Sequence, residues 1–171
     1  IVKKSLNDKQ NFIKAWQLNE RHYGALTGLS KIETAKKLGE EKIHKFRRSW
    51  DLRPDPLDKK SIFHPSNIDA YKNVPTENIP DTESLKDTYE RVTSYYESKI
   101  KNNLSNGNIL ISAHGNSIRA LCKFLFKIDE IQISSLEIPT GNPLLIDINE
   151  NQKVRSCKYL DQDRANDLVI F

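Results

Sequence analysis

The sequence contains no methionine, only two cysteines, and no apolar run long enough to cross a membrane. The thiols of Cys122 and Cys157 have neither the spacing of a metal site nor that of a redox pair, so we predict buried free thiols. Signal-peptide, Gly-rich phosphate-loop and metal-ligand patterns are missing as well. These absences favour a soluble, globular protein without a metal centre, and we expect it to be cytoplasmic.

The 171 residues begin with isoleucine, and because no methionine precedes or follows it we expect them to be part of a longer polypeptide. The length suits one α/β domain, and we predict a single domain over residues 1–171. The net charge of +4 is compatible with nucleic acid or with a small polyanion. Because the basic residues are scattered and no aromatic-interleaved basic stripe occurs, the polyanion is favoured.

The stretch from Ile109 to Ser117 organises the rest of the chain. Its apolar start is typical of a strand buried on both faces, and it ends in a His-Gly-Asn turn. A helix is predicted over 117–127, with an apolar face at 3.6-residue spacing: Ile118, Leu121, Cys122, Leu125 and Phe126. His114 would then lie between strand and helix, where it could contact a phosphate or simply fill a turn.

The first half of the chain predicts the end of a helix over 1–9 and a short strand over 12–17, followed by a dense polar cluster. That cluster places an acid, a guanidinium, an imidazole and a phenol in four positions, Glu20 to Tyr23. Ser30 has the capping-box pattern with Glu33, so a helix should begin there and close at Gly39. A second helix, over 40–49, ends in Arg47 and Arg48, which could complement its dipole or bind an anion.

The second half predicts an irregular segment, a long helix and a hairpin. Five of the seven prolines lie between residues 51 and 80, the proline-rich segment, which we interpret as a lid or flap rather than a linker. Asp81 or Thr82 should cap a helix whose apolar residues run from Leu85 to Ile100. After the turn at Asn106-Gly107 and the central stretch, strands over 144–148 and 154–160 should form a hairpin.

These polar groups together favour binding of a phosphate. Guanidinium groups bind phosphate bidentately, and one carboxylate among cations can act as a general acid or base. A histidine can stabilise charge on a phosphoryl group in transfer. A nucleophile is missing from this set.

Several motifs of the chain resemble the cofactor-dependent phosphoglycerate mutases of the histidine phosphatase superfamily. The similarity runs in the family's order from about residue 10 to about residue 160. It is carried by Leu18 to Gly24, Leu29 to Ala35, Phe46 to Ser49, Thr82 to Thr88, Ser112 to Leu121 and Ile138 to Gly141. It implies a three-layer α/β/α sandwich with a mostly parallel sheet, of which the N-terminal part is missing here, and an oligomer, a dimer or tetramer.

The resemblance also implies an activity: the interconversion of 3- and 2-phosphoglycerate through a phosphohistidine, primed by 2,3-bisphosphoglycerate. Glu20 would transfer the proton of the substrate hydroxyl, and His114 would stabilise the transferring phosphoryl group. The implied substrate-binding residues are Arg21, His22, Tyr23, Lys31, Arg47, Arg48, Gly115 and Asn116. The partner is thus a small phosphorylated three-carbon acid, and neither nucleic acid nor a membrane is expected.

The chain also departs from the family pattern. Phe46 stands where the family usually has tryptophan, a packing change. More seriously, the family's Arg-His-Gly motif, whose histidine is the nucleophile, has no counterpart in these residues. We therefore expect the nucleophile upstream and this chain alone to be inactive. A bisphosphoglycerate synthase or phosphatase, or an inactive fragment that only binds phosphorylated ligands, remains an alternative.

Overall fold

A computed structural model of the protein describes residues 12–165, with the side chains of six helical residues excepted: Lys31, Glu33, Lys37, His44, Arg47 and Arg48. The helix predicted over 1–9 lies outside the described residues. Within them, helices combine with one small sheet, an α/β composition. No helix in the described range is long and apolar enough to span a membrane.

Two helices pack against each other at the centre of the core. They are α3, Leu85–Tyr95, and α4, Gly115–Phe126. The apolar positions predicted for α3 and its continuation are buried, including Val92 and Ile100, and α4 buries Leu121, Cys122 and Phe126. The 3.6-residue period thus identified both inner faces correctly.

The N-terminus of α3 differs from the prediction. Ser84, not Asp81 or Thr82, is the N-cap, and it forms a complete capping box with Asp87: the Asp87 N–H donates to Ser84 Oγ at 3.1 Å, and the Ser84 N–H donates to Asp87 Oδ2 at 2.7 Å. The prediction failed because several residues capable of capping stand in succession, and the reciprocal pairing with Asp87 selects Ser84. After Tyr95 the chain continues through a π turn, Tyr96–Ile100, and a 3-10 turn, Lys101–Asn106.

Two shorter helices precede this pair, α1, Lys31–Leu38, and α2, Glu40–Arg48. Their bounds agree with the prediction to within one residue. Ser30 is the N-cap of α1, although its side chain makes no capping hydrogen bond. Gly39 ends α1 with a positive φ of 82°, a conformation that glycine adopts at little cost.

The described sheet consists of β1, Leu144–Ile148, and β2, Val154–Tyr159, paired antiparallel with Ile146 opposite Cys157. This is the predicted hairpin. A short helix, α5, Gln132–Ser135, precedes it and buries Ile133 in the same core.

The strands predicted over 12–17 and from Ile109 are wrong for the described structure. Residues 12–15 and 108–114 lie outside helices and strands, and residues 16–18 form a 3-10 turn. Leu110 is 68% exposed. A strand requires a hydrogen-bonded neighbour, and within residues 12–165 the only ladder is that of β1 and β2.

The proline-rich segment is irregular, as predicted, with short 3-10 turns at Pro65–Asn67, Asp69–Tyr71 and Thr76–Asn78. Its two ends are tied together, because the N–H of Leu57 donates to the carbonyl of Asp81 at 3.0 Å. Buried His64 lies within it, with Nε2 3.0 Å from Asp81 Oδ1. The segment is therefore anchored to the start of the helix pair.

Candidate active site

The carboxylate of Glu20 is held by three N–H donors from two separate parts of the chain. Its Oε1 accepts from the backbone N–H of Arg21 and from Nδ2 of Asn116, both at 2.7 Å. Its Oε2 accepts a longer hydrogen bond, 3.4 Å, from the backbone N–H of Asn116. Residues 96 positions apart thus meet, and the carboxylate lies beside the first turn of α4.

Asn116 links this carboxylate to Tyr23 and to the core. Its Nδ2 also donates to the Tyr23 hydroxyl at 2.8 Å, while its Oδ1 accepts from Nη1 of Arg119. Since a guanidinium can only donate, the oxygen of the amide must face Arg119 and its NH₂ group must face Glu20 and Tyr23. Arg119 is fixed in turn by a hydrogen bond from Nε to the carbonyl of Leu136, at 2.8 Å.

Arg21 is buried, only 2% exposed, and its guanidinium carbon lies 4.5 Å from the centre of the Tyr23 ring. Nη2 donates to the carbonyl of Phe46 at 2.6 Å, which connects the end of α2 with the loop that carries Glu20. Nε and Nη1 have no hydrogen-bond partner among the described atoms. Burial lowers the pKa of Arg21, and the neighbouring Tyr23 and Glu20 oppose that shift.

His22 is joined to Glu83 through its backbone and to Tyr71 through its ring. Its N–H donates to Glu83 Oε2 at 2.9 Å, and its carbonyl accepts from the Glu83 N–H at 2.8 Å. Its Nε2 lies 3.3 Å from the Tyr71 hydroxyl, so the proline-rich segment contacts the site here. Burial lowers the pKa of His22, although the Glu83 carboxylate opposes the shift.

His114 and Gly115 form the start of α4. His114 is the N-cap and is exposed, and its side chain makes no capping hydrogen bond. A Cβ built on Gly115 would meet no atom within 4 Å, so the space beside it is open. The first N–H groups of a helix have no acceptor within the helix, and they stabilise an anion that lies within hydrogen-bond distance of them.

The three remaining predicted residues are located only by their backbone. Lys31 is the first residue of α1, and Arg47 and Arg48 are the last two of α2. Their side chains lie outside the described part of the protein. The structure therefore brings together Glu20, Arg21, Tyr23 and Asn116 directly, and the other predicted residues lie on the adjoining elements.

Sequence reasoning did not single out Arg91, and it treated Glu83, Ser117 and Arg119 only as parts of motifs. Arg91 of α3 pairs with Glu83 at 2.7 Å and donates to backbone carbonyls of the Glu20 loop, and Ser117 Oγ donates to the carbonyl of Asn19 at 2.6 Å. The sequence signal available was weak: a charged residue on a helix whose opposite face is apolar. Among residues 12–165 no group of three or more potential metal ligands occurs.

Comparison with known proteins identifies the family. The pattern of the histidine phosphatase superfamily (branch 1) matches residues 62–158. A 2,3-bisphosphoglycerate-dependent phosphoglycerate mutase of Pelagibacter ubique is 64% identical over all of this chain, and those of Hyphomonas neptunium and Maricaulis maris are 51% and 50% identical over 91% of it. The chain spans 72% of the first relative's length and 65% of each of the other two, slightly under two thirds. The chain belongs to the histidine phosphatase superfamily and, within it, to the 2,3-bisphosphoglycerate-dependent phosphoglycerate mutase family.

Proposed function

We propose that the protein interconverts 3-phosphoglycerate and 2-phosphoglycerate, a step of glycolysis and gluconeogenesis, through a phosphohistidine. The observation that carries the proposal is the position of Glu20, whose carboxylate is held against Asn116 beside the N-terminus of α4. Moving a phosphoryl group between neighbouring hydroxyls requires a group that takes and returns a hydroxyl proton next to an anion site. The carboxylate and the helix N-terminus supply that combination.

In this proposal each residue has a role that follows from its chemistry. Glu20 is the proton donor and acceptor, and His114 at the helix start stabilises charge on the phosphoryl group. Lys31, Arg47 and Arg48 bind phosphate and carboxylate. The residues that complete the substrate site are Arg21, His22, Tyr23, Gly115 and Asn116. Arg21 contributes its charge from a buried position, stacked on the Tyr23 ring.

The donor set also suits 2,3-bisphosphoglycerate, which supplies the phosphoryl group that primes the enzyme when it is bound. Three features favour a small polyanion over a neutral ligand: the open space beside Gly115, the start of α4, where the N-cap side chain of His114 makes no hydrogen bond, and the buried cation of Arg21. Lys31, Arg47, Arg48 and the first turn of α4 are the groups that would hold it. The proposed chemistry requires no metal ion.

The proposal assigns the nucleophile to a histidine outside these 171 residues. The four histidines are His22, His44, His64 and His114, and none stands in an Arg-His-Gly motif. His64 is buried and already pairs with Asp81 and Ser66. We accordingly propose that this chain alone does not turn over substrate.

The family resemblance also suggests the fold of the whole domain, its oligomeric state and its location in the cell. We propose a three-layer α/β/α sandwich with a mostly parallel sheet. Its single domain covers residues 1–171, with the proline-rich segment as a flap. The protein is proposed to be a cytoplasmic homo-oligomer, a dimer or tetramer. It acts on a small phosphorylated acid and binds neither nucleic acid nor membrane.

The test is a mutase assay of the full-length polypeptide with Glu20→Gln. Because general acid–base catalysis contributes about a hundredfold to ten-thousandfold, kcat should fall by a factor in that range. Glu97→Gln is the matched control, since Glu97 pairs with Lys101 on the surface and should leave kcat unchanged. Wild-type kcat in the Glu20→Gln variant would refute the assigned role, and an inactive wild type would refute the proposed function.

A further inference from the structure

The guanidinium of Arg91 uses all five of its N–H donors within the protein. Nε and Nη2 donate to the two carboxylate oxygens of Glu83, at 2.7 and 2.9 Å. Nη1 donates to the carbonyls of Gln17 and Asn19 at 2.6 and 3.0 Å, and Nη2 also donates to that of Glu20 at 3.2 Å. A guanidinium offers five donors in a fixed planar fork, so this arrangement cannot be reproduced by lysine.

Glu83, the partner of Arg91, forms hydrogen bonds with the backbone of the same loop at His22. Its Oε2 accepts from the N–H of His22 at 2.9 Å, and its own N–H donates to the His22 carbonyl at 2.8 Å. The backbone is therefore held immediately before Glu20, at Glu20 itself and two residues after it. Ser117 of α4 adds a hydrogen bond to the Asn19 carbonyl at 2.6 Å.

Both charges of this pair are nearly inaccessible to solvent. The side chains of Arg91 and Glu83 are 11% and 5% exposed. Ion pairs with so little contact with water contribute little net stability, because the cost of desolvating both charges offsets their attraction. What the pair does provide is a fixed geometry for the loop from Gln17 to His22, directed by α3.

We propose that Arg91 and Glu83 are positioning residues for Glu20: by fixing the backbone of residues 17–22 they hold its carboxylate at the place where proton transfer with the substrate hydroxyl occurs. This inference rests on the proposed function. Neither residue touches the substrate in it, and three of the proposed substrate-binding cations, Lys31, Arg47 and Arg48, lie on α1 and α2. Arg21 lies in the loop itself but is also held by its hydrogen bond to the Phe46 carbonyl. Loosening the loop should therefore impair the proton transfer more than substrate binding.

The experiment compares Glu83→Gln and Arg91→Lys in the full-length polypeptide. Since a misplacement of about 1 Å can cost about a hundredfold in rate, kcat per folded molecule should fall by about tenfold to a hundredfold while KM changes by less than about threefold. The solvent deuterium isotope effect on kcat should rise as proton transfer becomes limiting. The double variant should be no slower than the slower single variant, because the two residues act as one unit.

Val92→Ala is the matched control. Val92 neighbours Arg91 in α3 and is fully buried in the core, so the change should lower Tm and leave kcat per folded molecule and the isotope effect unchanged. If Glu83→Gln and Arg91→Lys behave like Val92→Ala, the pair is merely structural and the inference is wrong. If either variant is too unstable to assay, the other still decides.

A second readout separates this inference from the proposed function. The side-chain amide of Asn116 donates to Glu20, so its NMR signals report the position of the carboxylate without any assay, and Glu20→Gln identifies them. We expect these signals to move in Glu83→Gln and Arg91→Lys but to stay in place in Val92→Ala. If the wild type is inactive but the Asn116 signals move in these two variants, the proposed function is refuted and the positioning role is supported. If the signals do not move in either variant, the positioning role is refuted.

Discussion

A Cβ atom at Gly24 would lie 2.1 Å from the carbonyl oxygen of Asp55. The same carbonyl accepts a hydrogen bond from the N–H of Ala25 at 2.8 Å, so the backbone just after Tyr23 and the proline-rich segment are in direct contact. The φ of Gly24 is +55°, a conformation that side chains disfavour. Only glycine allows both the turn and the close approach.

Gly24→Ala should therefore destabilise the protein by about 3 kcal/mol or more, because overpacking adds to backbone strain. Chemical denaturation would measure the loss. The control is Gly141→Ala: φ there is +71°, but no atom lies within 4 Å of the added Cβ, so only the backbone penalty of about 1–2 kcal/mol is expected. Equal losses in the two variants would show that the contact with Asp55 is not tight.

The amide of Asn116 gives a prediction about catalysis. In Asn116→Asp, a carboxylate oxygen replaces the NH₂ group that donates to Glu20 and Tyr23. The tyrosine hydroxyl can turn to donate, but two facing carboxylates repel each other, which should cost about 1–3 kcal/mol. The kcat of the full-length polypeptide should fall by about tenfold to a hundredfold.

Asn142→Asp is the corresponding control for that substitution. Asn142 is similarly buried, 8% exposed against 5% for Asn116. Its Nδ2 donates to the carbonyl of Asp161, and its Oδ1 accepts from the N–H of Asp161. We expect the control to lose stability and to keep kcat per folded molecule. A comparable fall in kcat in both variants would contradict the specific role of Asn116.

The two cysteines differ in their expected reactivity. Cys122 is 1% exposed, and burial raises the pKa of its thiol to about 12. At pH 8 only about one part in ten thousand would be thiolate, the reactive form. In Cys157→Ser, which leaves Cys122 as the single thiol, a thiol reagent should react only at the rate of unfolding; rapid labelling of the native protein would contradict its burial.

The elements that the sequence predicted correctly are those that depend on a local pattern of residues. The apolar faces of α3 and α4 and the hairpin of β1 and β2 follow from periodicity and turn residues, and both appear in the structure. The strand predicted from Ile109 does not, because an apolar run shows a preference for extended backbone and says nothing of a hydrogen-bonding neighbour. Ser84 was missed as a cap because several residues capable of capping stand in succession before the helix, and only the reciprocal pairing with Asp87 selects Ser84.

In the candidate site, too, the residues that were predicted belong to local motifs, and the residue that was missed acts through long-range contacts. Glu20, Tyr23 and Asn116 were predicted from the family resemblance, and the structure brings Glu20 and Tyr23 each within hydrogen-bond distance of the Asn116 amide. Arg91 was not, because its contacts with the loop that carries Glu20 join residues more than seventy positions apart and leave no local pattern. Long-range hydrogen bonds to backbone carbonyls carry no side-chain signature at their accepting end, so single-sequence reasoning cannot find them.

Asp87 predicts how stability depends on pH. Partial burial raises the pKa of its carboxyl, but hydrogen bonds from Arg53 and Ser84 outweigh this effect and hold the pKa at about 2, below its ordinary value of 3.8. A group whose pKa is depressed in the folded state stabilises that state above its unfolded pKa. The contribution should therefore be complete above about pH 4 and be lost as the pH falls toward about 2.

Asp87→Asn tests this dependence. At pH 7 it should lower the free energy of unfolding by about 1 kcal/mol, mainly because a neutral amide oxygen accepts less strongly from Ser84 than the carboxylate does. The Arg53 partner is largely exposed, so its ion pair is screened by solvent and adds little. The difference from wild type should shrink as the pH falls from about 4 to about 2, measured by denaturation at each pH. Asp58→Asn, a change at an exposed loop carboxylate, is the control and should show a small difference that stays constant. A wild-type advantage that persists unchanged at pH 2 would mean that ionised Asp87 does not stabilise the start of α3.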